Sequence, residues 1–121
     1  MVDLLAVINE QLEKAGVPYE FAEWRSSIKY PYFVGSYDEN NFYFEDNRTE
    51  GTFNIDGWSR SSLSELIKIS EKIKDLFSDF RCTRKGKTYW IRYGNAIPVP
   101  TGDEDLKKIM ITLYITQWKG D

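Results

Sequence analysis

The sequence predicts an α+β domain, two helices packed on a mostly antiparallel sheet in the order α-β-β-β-β-α-β-β-β. Three observations predict it. Residues 3–15 and 62–80 carry apolar side chains at spacings of three and four. Between residues 19 and 59, short aromatic segments are separated by glycine, proline and polar turns. The chain then closes on a run at 108–119 that alternates strongly. At 121 residues, 41% hydrophobic and 16% aromatic, it is the length of one domain and apolar enough to bury a core.

In the first helix Leu5, Ile8, Leu12 and Ala15 share a face, and Leu4 and Val7 widen it. Asp3 suits the first turn, Gly16 supplies a left-handed stop and Pro18 forbids continuation. Residues 19–24 and 32–37 read as strands, the second after Tyr30-Pro31, where the proline holds Tyr30 extended. Residues 42–44 and 52–55 are expected to pair across the polar link 46–51. Phe42, Phe44, Phe53 and Ile55 would face inward, as cross-strand packing partners rather than a ligand platform.

Ser62 and Glu65 spell a capping box ahead of Leu66, Ile69, Ile73, Leu76 and Phe80, with Ile67 and Phe77 alongside. Lys68, Ser70, Glu71, Lys72, Lys74 and Asp75 mark the wet side of this helix. Residues 81–93 read as a hairpin turning at Arg84-Lys85-Gly86-Lys87, where glycine meets the need for positive φ. Tyr89, Ile91 and Tyr93 share one face of the returning strand, Trp90 and Arg92 the other. Residues 94–107 are expected to be a loop, because Pro98 and Pro100 serve a ladder badly. In the last strand Ile109, Ile111, Leu113 and Ile115 line one side, and Met110, Thr112, Tyr114, Thr116 and Trp118 the other. That second side is half-apolar, which calls for a second layer or a partner to cover it. No internal repeat or low-complexity segment appears.

The absence of histidine removes histidine-based nucleophile systems, and one cysteine, Cys82, cannot complete a disulfide or a usual zinc site. The carboxylate pairs Asp38/Glu39 and Glu45/Asp46 read as solvated strand ends before a glycosidase pair or a hard-cation site. Gly16, Gly35 and Gly51 stand alone, so no phosphate loop is present. The expectation is a protein without catalysis, cofactor or metal. Its N-terminus lacks a basic leader and no apolar run reaches the ~20 residues of a membrane span, which points to a soluble protein of a reducing cytosol.

Charge is segregated. Asp38, Glu39, Glu45, Asp46, Glu50 and Asp56 face only Arg48 within residues 38–56, whereas Arg81, Arg84, Lys85, Lys87 and Arg92 meet no acid within 80–102. Each run is either the wet face of a hairpin or one half of a head-to-tail contact between copies. A further reading sets the basic hairpin on nucleic acid with Tyr89, Trp90 and Tyr93 as stacking platforms, which the net charge of −3 opposes.

In Tyr32-Phe33-Val34-Gly35-Ser36-Tyr37, in residues 51–60, and in Ile97-Pro98-Val99-Pro100 with Asp103, Glu104 and Asp105 before the long last strand, the chain resembles a family. It is that of the small tail terminator, or tail-to-head joining, proteins of long-tailed bacteriophages and prophages. The resemblance implies a non-enzymatic ring former, commonly a hexamer, that caps the tail tube and docks to the neck connector. Its tube-contacting loops would fall on residues 40–50 and the basic hairpin. The expected interface residues are Asp38, Glu39, Glu45, Asp46, Glu50, Arg81, Arg84, Lys85, Lys87, Arg92, Tyr114 and Trp118. Expected partners are further copies of the chain, the tube protein and the neck protein, with no membrane. Assembly would take place in the bacterial cytoplasm and end in the virion. The alternative is a small acidic immunity or inhibitor protein that masks a basic target with residues 38–56.

Overall fold

The structure is a computed structural model that describes residues 2–21, 29–40 and 48–119. Its elements are α1 (Val2–Lys14), β1 (Tyr19–Phe21), β2 (Tyr32–Asn40), β3 (Arg48–Ser59), α2 (Leu63–Phe77), β4 (Phe80–Arg84), β5 (Lys87–Val99) and β6 (Lys107–Lys119). The strands form one sheet in the order β1-β2-β3-β6-β5-β4, and only β1 and β2 run parallel. The α+β class is therefore as the sequence predicts. The expected strand at 42–44 lies outside the described residues, and residues 52–55, expected to pair with it, pair instead with Gly35 to Asp38 of β2 and with β6, so the described elements run α-β-β-β-α-β-β-β.

The helix ends follow local chemistry. At the end of α1, the Val17 amide donates to the Leu12 carbonyl and the Gly16 amide to that of Glu13, both at 3.0 Å, with Gly16 at φ +74°. This is the paired C-terminal bond pattern that a left-handed glycine permits. The Ser62 hydroxyl accepts from the Glu65 amide at 3.3 Å and caps α2. The reciprocal half of the expected capping box is absent. The Glu65 carboxylate instead accepts from the hydroxyls of Ser59, at 2.7 Å, and Ser61. Those two hydroxyls hold the Glu65 acid below its ordinary range. The end of β3 and the start of α2 are thereby clasped together.

One face of the sheet is the core. Phe33 of β2, Phe53 and Ile55 of β3, Ile109 to Ile115 of β6 at alternate positions, and Tyr89 and Ile91 of β5 are fully buried or nearly so. Leu4, Val7, Ile8 and Leu12 of α1 and Leu66, Ile73 and Phe77 of α2 close over them in one cluster. Gly57 lies beneath the Phe33 ring, and Gly35 lies beneath Tyr19 and Phe53, so three aromatic rings rest where side chains would otherwise stand.

Three boundaries differ from the sequence reading. Arg48 to Gly51, expected within a polar link, belong to β3 and pair with β6, and Glu50 and Gly51 pair with β2 as well, so long neighbouring strands satisfy their backbone. Phe80, expected on the second helix, opens β4 and packs edge-on against Phe77 at 5.7 Å. The stretch expected as a loop from 94 is the second half of β5. It pairs with β6 through Val99 after a bulge between Tyr93 and Asn95. Pro98 is tolerated because β4 stops opposite Ile91, so this half of β5 has β6 alone as a paired neighbour. The tight turn is as expected, with Lys85 at φ 52° and Gly86 at φ 77°.

Among the described residues, each half of the chain contributes one helix followed by three strands, counted inward from the sheet edge: α1 with β1, β2, β3, and α2 with β4, β5, β6. The halves meet along twelve paired positions, from Arg48 opposite Trp118 to Ser59 opposite Lys107.

Candidate interaction surface

The other face of the sheet has no helix on it among the described residues. Strand periodicity lines up its side chains in rows across the strands. One row runs Val99, Lys108, Trp58, Tyr32, and the next Ile97, Met110, Asp56, Val34. Further along, Arg92, Tyr114, Thr52 and Asp38 form a row, followed by Trp90, Thr116 and Glu50. One end of this face is mainly apolar and aromatic. The other carries charge, basic towards β4 and acidic towards β2.

At the apolar end Tyr32 stacks on Trp58 with ring centres 5.1 Å apart, and the Lys108 ammonium lies 5.2 Å from the Trp58 ring. Beside them the Arg60 guanidinium lies 5.3 Å from the Tyr30 ring and 3.5 Å from the Asp103 carboxylate. Ile97 and Tyr114 are 45% and 46% exposed, unusual for side chains of their size near the middle of a sheet. Tyr114 holds its place by lying over Gly94, at the bulge, where any side chain would strike its ring.

At the charged end two guanidiniums lie close to the Trp90 ring, Arg92 at 3.9 Å and Arg81 at 4.4 Å. Its indole Nε1–H donates to Asp79 at 2.6 Å, and Arg92 donates to the Thr116 hydroxyl at 3.0 Å. The Trp90 bond, and then Arg81, hold the Asp79 acid below its ordinary range. Trp90 is thus engaged within the chain by two guanidiniums and a carboxylate. Tyr89 is buried in the core, and Tyr93 packs against the same core on the helix side. The three rings named for nucleic-acid stacking do not form a platform.

The expected interface residues divide accordingly. Arg81, Arg92, Tyr114, Trp118, Glu50 and Asp38 lie on the open face, with Glu50 3.6 Å from Arg48 and Asp38 exposed. Glu39 is exposed near the end of β2, and Glu45 and Asp46 lie outside the described residues. The turn residues do something else. Arg84 points to the helix side and grips Glu10 of α1 with both nitrogens, at 3.0 and 2.5 Å, and Lys85 reaches Asp3 at 3.3 Å. Lys87, next to them, is half-buried. Most of the basic hairpin tip is thus paired with α1. Sequence reasoning missed this because α1 acids and hairpin bases are 74 positions apart in the Glu10–Arg84 case. Reversing Arg84 to Glu therefore sets two carboxylates together. It is expected to lower the melting temperature by about 3–6 °C, in line with a forked pair at a part-exposed site plus repulsion. A melting point within 1 °C of the parent would show that the pair contributes nothing.

Asp56 is an acid in an apolar setting, between Val34 and Met110, with its Oδ1 buried and lacking a hydrogen-bond partner. Burial pushes its acid up, and Lys108 partly offsets this. For a carboxylate raised on folding, the ionised form weakens the folded state, and that penalty fades as pH falls through the folded value. Asp56→Asn is accordingly expected to raise the melting temperature at pH 7 by roughly 2 °C, with the gain shrinking towards pH 4. A gain that grew on acidification would carry the wrong sign.

Among the described residues no group of three acids or cysteines is placed to hold a metal ion, and no helix is long and apolar enough to cross a membrane. No family model and no curated protein matches the chain.

Proposed function

We propose that this chain is a non-catalytic assembly subunit, of the kind that closes a phage tail tube and joins it to the neck. The observation that carries the reading is the open sheet face. Two helices are spent covering one side of the sheet, and the side left over presents aromatic, aliphatic and ordered charged groups rather than a cleft. A broad sheet surface of this composition suits docking to other proteins. The segments at 32–37, 51–60 and 97–105 that carry the likeness to tail terminators lie on β2, on β3 into the turn after it, and on the end of β5 with the following loop. These elements border or cross the open face. In this role the subunit forms a ring, presents one surface to the last ring of tube protein and so ends polymerisation, and offers another to the neck.

The test is reconstitution. Tail-tube protein polymerising in the presence of this chain is expected to give tubes of halted length with a cap at one end in negative-stain micrographs. Tubes that elongate as they do without it, at any excess of the chain, would remove the reading. Gene neighbourhood separates the alternative cheaply. Tail-tube and tape-measure genes alongside fit assembly, whereas a toxin gene alongside fits an immunity protein.

A further inference from the structure

We infer that the open sheet face is self-complementary and packs two copies of this chain face to face about a two-fold axis parallel to the strands. This pairing follows from the rows across the sheet and does not depend on the phage reading. An axis parallel to the strands, lying between the two sheets and over the β3–β6 seam, keeps each row opposite the same row of its mate and reverses the order within it. Strand β5 then lies over β2 of the second copy, and β6 over β3.

In the third of the rows named above this sets Arg92 opposite Asp38 of the second copy, twice per dimer. Asp38 is exposed and has no ion pair among the described residues, while Arg92 is already fixed on the Trp90 ring and Thr116. A pre-oriented guanidinium facing an open carboxylate fits charge complementarity across an interface. In the apolar rows the same operation sets Ile97 opposite Val34 and Val99 opposite Tyr32. Tyr114 falls opposite Thr52, near the axis.

The competing two-fold axis, perpendicular to the strands, reverses the rows along the strand. It would bring the Arg92 end of β5 over its Ile97 end and leave the acidic strands stacked on each other. Charge and apolar pattern therefore select one orientation. The area is adequate. Four strands at ~4.8 Å spacing and about five rows at ~6.8 Å give on the order of 650 Å² per copy, close to the ~800 Å² per partner of a standard interface. Two sheets stacked ~10 Å apart in this way form a sandwich whose inner layer neither copy completes alone.

The experiment measures mass against concentration by sedimentation velocity for the intact chain, Asp38→Arg, Arg92→Asp and the double swap. Ile97→Lys serves as an apolar variant at an exposed site, and each variant's melting curve is recorded beside it. The expected result is a mass that doubles between about 1 and 200 µM in the parent. Each charge reversal and Ile97→Lys should raise the dimer dissociation constant at least tenfold, and the double swap should recover most of that loss. A parent that stays monomeric to 200 µM overturns the inference. So does a dimer unaffected by folded single variants, or a double swap that melts normally and does not recover. If Arg92→Asp unfolds, Asp38→Arg and Ile97→Lys decide by themselves. A closed ring of more than two copies that ignores all these substitutions would overturn the two-fold face and leave the ring proposal standing, since it would place the ring contact elsewhere.

Discussion

Replacing Gly57 with alanine is expected to cost about 3 kcal/mol of stability, a fall of roughly 10 °C in melting temperature. The physical cause is a single ring. The added Cβ would fall 2.1 Å from Cε1 and 2.4 Å from Cδ1 of Phe33, well inside contact distance. Phe33 is itself fully buried, so its ring has no empty space into which to swing. Strand β3 cannot yield either, because Gly57 is paired with Phe33 on one side and Ile109 on the other. The partner substitution makes the claim specific. Phe33→Leu should restore part of the loss when combined with Gly57→Ala, although it destabilises the parent when made alone. Thermal melts of the four proteins check it, and a Gly57→Ala protein melting within 2 °C of the parent would show that the ring moves freely.

The second large effect is expected at Phe53. Its ring is fully buried and lies 6.5 Å from that of Tyr19, 6.1 Å from Phe21 and 6.2 Å from Tyr37. It therefore ties β1 and β2 to β3 beneath the helices. Phe53→Ala removes a large side chain from a place that three strands share, and a loss of about 3–5 kcal/mol follows from the lost transfer energy and the cavity together. Against a total of ~5–15 kcal/mol, that brings the fold close to its limit. Ile67→Ala is the control, since Ile67 is 40% exposed on α2 and should change stability by less than about 0.5 kcal/mol. Urea titration of both variants is the measurement. A Phe53→Ala loss under about 1.5 kcal/mol would mean that the ring cluster refills the space.

What could be read in advance depended on how local its cause was. The cap of α2, the glycine stop of α1 and the two-residue turn at Lys85-Gly86 are written in a few adjacent residues, and the structure has them where they were expected. The strong alternation of β6 likewise announced a buried side and an uncovered one. Other features rest on distant partners. Arg48 to Gly51 look like a polar link until β6 pairs with all four and β2 with Glu50 and Gly51. Pro98 looks like a ladder breaker until β4 is seen to stop short of it. The basic turn looked like an interface because nothing in the sequence tells Arg84 that Glu10 lies beside it. The open face was legible as an uncovered strand side, but its ordered rows emerge only once the registers of β2, β3, β5 and β6 are known.

The division into two helix-plus-three-strand halves bears on how the chain can be cut. Each half leaves one long strand, β3 or β6, without its neighbour and one helix with only part of its floor. Neither half has a complete core, and the two communicate chiefly through one ladder. A nick in the short connection at Arg60 to Ser62 would sever the chain where the Ser62 cap, the Glu65 clasp and the Arg60 contacts with Tyr30 and Asp103 depend on it. Two separately made fragments should then remain disordered alone and fold on mixing, in a bimolecular reaction whose rate scales with fragment concentration. The seam between β3 and β6 would make this chain a split protein, able to report when two fused molecules come together.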